Sequence, residues 1–227
     1  MAKQEKSELT LDDVAGHTIK TMNLQVDQVN WLTVYRIHHR VAEVFRKDRV
    51  FLVGDAAHIH SPVGGQGMNT GIGDAINLAW KLATVLRGHA NMAFLDSYQA
   101  ERQAGMSQIL LNYREGSLST GSAGSVQGGD RVPWAPVEGC DNYDSLRGVT
   151  WQVHVYGSVS EALGEWCRAK DVPLHVFPWH QKYQAVGLGQ DAAYLIRPDS
   201  YIAVAELDSQ GFEEYFKRIG VSMVDRV

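Results

Sequence analysis

The chain has 227 residues, a formal net charge of −5 and 44% hydrophobic residues, the make-up of a soluble globular protein with room for one large domain or two small ones. It lacks the basic stripe of a nucleic-acid binder and any apolar run of membrane-span length. Met1 to Glu8 is polar, without the apolar centre of a signal peptide, so a cytoplasmic location is expected, with neither nucleic acid nor membrane as a partner.

Residues 9–30 show no clear period. From Trp31 to Val41 the chain alternates, with Tyr35, Ile37 and His39 set against Arg36, His38 and Arg40, which predicts a half-exposed strand. A polar strand face is the preferred reading of those basic residues, ahead of an anion-binding pocket. Val50 to Val53 is a continuous apolar run of buried-strand length, ended by Gly54 and Asp55. Ile72, Ala75, Ile76, Ala79, Leu82, Ala83 and Leu86 then recur at helical spacing. Asp74 near the start and Arg87 near the end suit the helix dipole, and Gly88 suits the position just past it. A second helix is predicted from Met92 to Leu111, with Leu95, Tyr98, Arg102, Met106 and Ile109 along one side.

Residues 115–130 are mostly Gly and Ser, and are read as a linker or mobile loop between a segment 1–114 and a segment 131–227. The second segment predicts a strand at Trp151–Tyr156 and a helix at Ser160–Lys170 with Ser160 as its N-cap. Strands follow at Pro173–Phe177, Ala192–Ile196 and Tyr201–Ala205, then a helix at Gly211–Ile219. That β-α-β, β-β-α order is thioredoxin-like. The redox CxxC of such folds is absent, and Cys140 and Cys167 are read as two unpaired thiols. His58 and His60 have no third ligand at useful spacing, so no metal site is expected.

The chemistry concentrates at residues 49–71. A strand ending in Gly54-Asp55 puts a carboxylate where α/β folds bind ligands. Ionised Asp only accepts hydrogen bonds, which suits the hydroxyls of a ribityl or ribose chain. Gly64, Gly65 and Gly67 let backbone approach a flat ligand. The N–H groups opening the next helix favour an anion, or an oxygen that gains negative charge.

Gly54-Asp55-Ala56-Ala57-His58, Pro62, Gly64 to Gly71 and Asp74 to Leu82 together closely resemble the second FAD-binding motif of class A flavoprotein monooxygenases. Tyr98, Glu101 and Arg102 resemble the segment that follows it. Arg131-Val132-Pro133 and Leu195 to Asp199 resemble the thioredoxin-like appendix of phenol and polyketide hydroxylases. The resemblance implies an α/β fold: the C-terminal part of a glutathione-reductase-like FAD-binding domain, followed by a thioredoxin-like α/β domain. It implies FAD as cofactor, NAD(P)H as reductant, and O2 and a small phenolic aromatic as substrates, with a homodimer left open. Gly54 belongs to the cofactor turn. Asp55 would hold the ribityl hydroxyls or the neighbouring pyrophosphate region, and Pro62 would sit near the reactive edge of the ring. Gly64, Gly65 and the backbone of Gly67, Met68 and Asn69 would bind the flavin. No catalytic side chain is implied.

The strand–GxGxxG–helix unit that holds the ADP part of FAD in that family is not found. Gly187-Leu188-Gly189 precedes a strand, not a helix. The chain is thus expected to be the C-terminal portion of a longer monooxygenase, binding FAD weakly or not at all by itself and inactive alone. The alternatives are a non-catalytic interaction or dimerisation module, and another flavoenzyme such as a halogenase or epoxidase.

Overall fold

The computed structural model describes residues 10–32, 40–59, 67–104, 119–206 and 209–223. It forms two compact units, 1–38 and 39–227. Within the first lies helix α1, Leu11–Thr21, in a stretch whose sequence shows no clear period. Its start is a capping box: the Thr10 hydroxyl accepts from the Asp13 N–H, and the Asp13 carboxylate accepts from the Thr10 N–H.

The second unit opens with short strands. β1 (Arg40–Val41) pairs with a later strand, while β2 (Arg46–Lys47) and β3 (Val50–Phe51) form a small antiparallel ladder. The apolar run therefore yields only two strand residues. The Leu52 carbonyl is drawn instead to the Tyr98 hydroxyl at 2.7 Å. A 3-10 turn at Gly54–Ala56 leads to β4 (His58–Ile59), which pairs antiparallel with β1. The rest of the Trp31–Val41 prediction lies outside the described residues.

Helix α2 runs from Gly67 to Leu86 and includes the predicted periodic stretch. Its buried residues are Asp74, Asn77, Leu78, Trp80 and Lys81. Its apolar stripe is largely outward: Ile72, Ile76 and Leu86 are exposed. A 3-10 turn at Met92–Leu95 runs into α3 (Asp96–Ala104), with the Asn91 side chain capping the turn.

The Gly/Ser-rich stretch differs from the expected linker. Thr120–Ala123 is strand β5 and Val126–Gln127 is β6, both in a six-stranded sheet. The small residues are what permit this. A Cβ on Gly121 would lie 2.3 Å from the Ala205 carbonyl oxygen, and one on Gly128 would lie 2.4 Å from the Thr120 backbone. Glycine here marks close backbone approach rather than a lack of structure.

The remaining elements are a 3-10 turn at Asp144–Gly148, β7 (Gln152–Tyr156), α4 (Glu161–Ala169), β8 (Leu174–Phe177), α5 (Gln181–Ala185), β9 (Ala193–Ile196), β10 (Ile202–Glu206) and α6 (Gln210–Ile219). The sheet order is β6-β5-β10-β9-β7-β8. β7 and β8 are parallel, as are β5 and β10, while β9 runs antiparallel to both β7 and β10. Ser160 caps α4 by accepting from the Leu163 N–H. Helix α5 is not among the expected elements; His180 caps it, its Nδ1 accepting from the Lys182 N–H.

One face of the sheet packs Val153, Val155 and Leu195 against Phe212 and Phe216 of α6. Trp80 of α2 and Phe94 join this same core, and Trp80 meets Trp151 edge-on with ring centres 5.5 Å apart. Residues on both sides of the Gly/Ser stretch thus share one core. Each ring so buried contributes roughly 2–3 kcal/mol. The other face packs Tyr156, Phe177, Tyr183 and Tyr194.

Candidate functional site

The site is built where the Gly54–Ala56 turn meets α2. Gly54 has φ +59°, a left-handed conformation that favours glycine. Gly71 faces it so closely that a Cβ there would sit 3.4 Å from the Gly54 Cα. The Gly54 N–H donates to Asp74 Oδ2 at 3.0 Å. Asp74 is fully buried and anchors three elements. Its Oδ2 also meets His58 Nε2 of β4 at 2.5 Å, and its Oδ1 accepts from Arg102 Nε of α3 at 2.5 Å. Arg102 Nη2 donates in addition to the Thr70 carbonyl at 3.1 Å. A Cβ on Gly73 would lie 3.4 Å from that guanidinium nitrogen. Gly71 and Gly73 are therefore explained by this clamp.

One residue earlier on α3, Glu101 enters a second buried cluster. Its Oε2 accepts from Lys81 Nζ at 2.9 Å, Asn77 Nδ2 at 2.8 Å and Arg197 Nη2 at 2.8 Å, and its Oε1 accepts from Arg197 Nη1 at 3.0 Å. Arg197 also binds Asp199 through Nε at 3.0 Å and Nη2 at 2.7 Å, and its guanidinium carbon lies 5.3 Å from the Trp80 ring centre. Burial alone would raise the Glu101 carboxyl, but Arg197 and Lys81 beside it hold it well below the usual carboxylate range. Burial pushes the Lys81 ammonium down to about 8 against the pull of Glu101. Two carboxylates face one guanidinium and one ammonium, so the cluster is neutral as a whole, as buried charge requires.

The predicted flavin residues divide as follows. Gly54 sits in the turn just described, and Asp55 is exposed on the same turn. Gly67, Met68 and Asn69 form the first turn of α2. A Cβ on Gly67 would meet nothing within 4 Å, and Met68 is 75% exposed. Pro62, Gly64 and Gly65 lie outside the described residues. Asp74, expected to serve the helix dipole, is instead the buried centre of the clamp. Arg197-Pro198-Asp199 does form the turn between β9 and β10, but its two charged side chains are core groups.

Sequence reasoning missed Asn77, Lys81 and the partners of Asp74. One signal was present: Asp74, Asn77 and Lys81 are spaced i, i+3, i+7, a polar stripe on one face of a helix. Among the described residues no group of three or more His, Cys, Asp or Glu side chains is placed to hold a metal. No described helix is long and apolar enough to cross a membrane.

The exposed features fit the flavin side of FAD. Asp55 offers an acceptor at the surface. The first turn of α2 carries N–H groups that no intrahelical carbonyl can accept, and among the described residues nothing lies within 4 Å of a Cβ built on Gly67.

Comparison with known proteins points to FAD. Residues 3–112 match the family described as FAD binding domain. A flavin-dependent monooxygenase from Mycobacteroides abscessus is 30% identical over 251 residues, which cover 96% of this chain and 51% of the relative. The pentachlorophenol 4-monooxygenase of Sphingobium chlorophenolicum is 51% identical over 85 residues, 37% of this chain and 16% of that protein. Among solved structures, the rebeccamycin biosynthetic enzyme RebC with reduced flavin superposes with a TM-score of 0.64 at 26% identity, covering 81% of this chain and 47% of RebC. The chain spans about half the length of the Mycobacteroides relative. Residues 3–112 thus match an FAD-binding domain, and the relatives that this chain resembles are flavin-dependent monooxygenases.

Proposed function

We propose that this chain supplies the flavin-side half of an FAD site in a protein that hydroxylates a small phenolic aromatic with NAD(P)H and O2. The observation that carries the reading is the exposed Asp55 on a turn that buried Asp74 fastens to α2 through the Gly54 N–H. When bound, FAD would supply the redox chemistry, taking electrons from NAD(P)H and activating O2. Asp55 would accept hydrogen bonds from the ribityl hydroxyls. The N–H groups at Gly67, Met68 and Asn69, with the positive end of the α2 dipole, would hold negative charge at the N1–C2 edge of the ring. Pro62, Gly64 and Gly65 belong to the same proposed contact surface. Residues 131–227 are assigned as a thioredoxin-like appendix on their strand order. The phenolic class rests on the name of the pentachlorophenol relative.

Titration of FAD against the chain, followed by quenching of flavin fluorescence, tests this. If the flavin side contributes half of the roughly −12 kcal/mol of a nanomolar site, the expected Kd is on the order of tens of micromolar. Asp55→Asn should weaken it about tenfold, through one lost charge-assisted acceptor. An unchanged Kd in Asp55→Asn, or no saturable binding up to millimolar FAD, would contradict the proposal.

A further inference from the structure

We infer that the groove beside α2 is a binding site for a planar aromatic anion. The cavity measures about 830 Å³, within the range of small-molecule sites. Ile76, Ala79 and Ala83 give it one apolar wall, and Trp80 and Trp151 supply aromatic surface. Arg87, His89, Arg131 and Lys170 also line it, as do two acidic residues, Asp171 and Asp199. Asp199 is already committed to Arg197 and Asn77, so its charge is compensated within the core. Lys170 is likewise paired, with Glu213 at 3.4 Å, so Arg87 and Arg131 against Asp171 set a cationic balance in the cavity.

A second observation is independent of charge. Trp80 is only 6% exposed, and its indole N–H has no hydrogen-bond acceptor among the described residues. A buried donor left without an acceptor is costly and uncommon in folded proteins. That nitrogen is sealed from solvent, so a ligand oxygen in the groove would satisfy it only on turning the indole toward the cavity. Val149 also lines the cavity, with φ +46°, a left-handed conformation that is strained for a β-branched residue. The ligand class follows from these features. A flat ring system suits two edge-packed indoles, an acceptor oxygen suits the Trp80 N–H, and a carboxylate or phenolate suits Arg131 and Arg87. The site does not depend on whether the chain binds FAD.

The probes are 2-naphthoate and its uncharged counterpart 2-naphthol, each titrated into the chain at pH 7 by isothermal calorimetry. The site predicts one naphthoate per chain and naphthol at least tenfold weaker. Arg131→Gln, at an exposed position, should raise the naphthoate Kd about tenfold. Trp80→Phe keeps an aromatic ring but removes the donor, and should weaken both probes, with thermal melting used to verify its fold. Leu86→Ser, on the exposed part of α2 outside the cavity, should leave both affinities unchanged. Absent naphthoate heat, equal affinity for the two probes, indifference to Arg131→Gln, or a loss caused by Leu86→Ser would each overturn the inference.

Discussion

Glu101 is the residue whose removal should be felt most. Glu101→Ala leaves Arg197 with two unmatched N–H donors and takes an acceptor from Lys81 and Asn77, in a cluster where none of these side chains exceeds 8% exposure. Removing one partner of a buried ion pair costs about 3–5 kcal/mol. Total stability of such a domain is only about 5–15 kcal/mol, so the variant should lose at least about a fifth of it. The loss should also depend on pH. Without Glu101, burial lowers Lys81 below its value of about 8, so the folded variant sheds that proton where the unfolded chain still holds it. More protons on the unfolded state means that stability rises with pH. The deficit against wild type should accordingly be smaller at pH 8.5 than at pH 6. Urea unfolding followed by tryptophan fluorescence reads both effects, since Trp80 lies beside the cluster. A loss under 1 kcal/mol, or one that does not change with pH, would refute the reasoning.

Three other outcomes are expected. Buried His154, whose Nε2 meets Ser145 Oγ at 2.8 Å, is pushed by burial from 6.5 to about 3, so the folded state excludes a proton that the unfolded state takes up below pH 6.5. Stability should therefore fall by about 2 kcal/mol from pH 7 to pH 5 through this group, a slope that His154→Gln should remove in urea titrations at the two pH values. Gly121→Ala should cost about 2 kcal/mol of stability or more, read as a lower melting temperature, because φ is +79° and the Cβ meets the Ala205 carbonyl at 2.3 Å. Asp74→Asn, which loses its charge toward Arg102 and His58, should cost about 2–4 kcal/mol in the same assay and also weaken FAD binding.

Much of the C-terminal sheet was legible because each strand is a short apolar run bounded by turn residues, and because Ser160 marks its helix with an ordinary cap. The Gly/Ser stretch was not, because composition cannot distinguish glycines that loosen a chain from glycines such as Gly121 and Gly128 that let two backbones touch. The Gly54–Ala56 turn, proposed above to face the flavin, was readable as a turn from local order alone. Its support was not. Asp74 lies 16 positions from His58 and 28 from Arg102, and Glu101 and Arg197 are separated by 96. Only the fold brings such pairs together. Asp74 also suited a helix start, a plausible local role that the tertiary contacts replace with burial.

The central claim is that this chain recognises the flavin side of FAD rather than its ADP side. Competition against FAD fluorescence quenching tests it directly, with riboflavin and ADP as rival ligands. The account predicts that riboflavin displaces FAD at concentrations close to those of FAD itself, that ADP does not, and that Asp55→Asn weakens riboflavin and FAD alike. Displacement by ADP but not by riboflavin would contradict it.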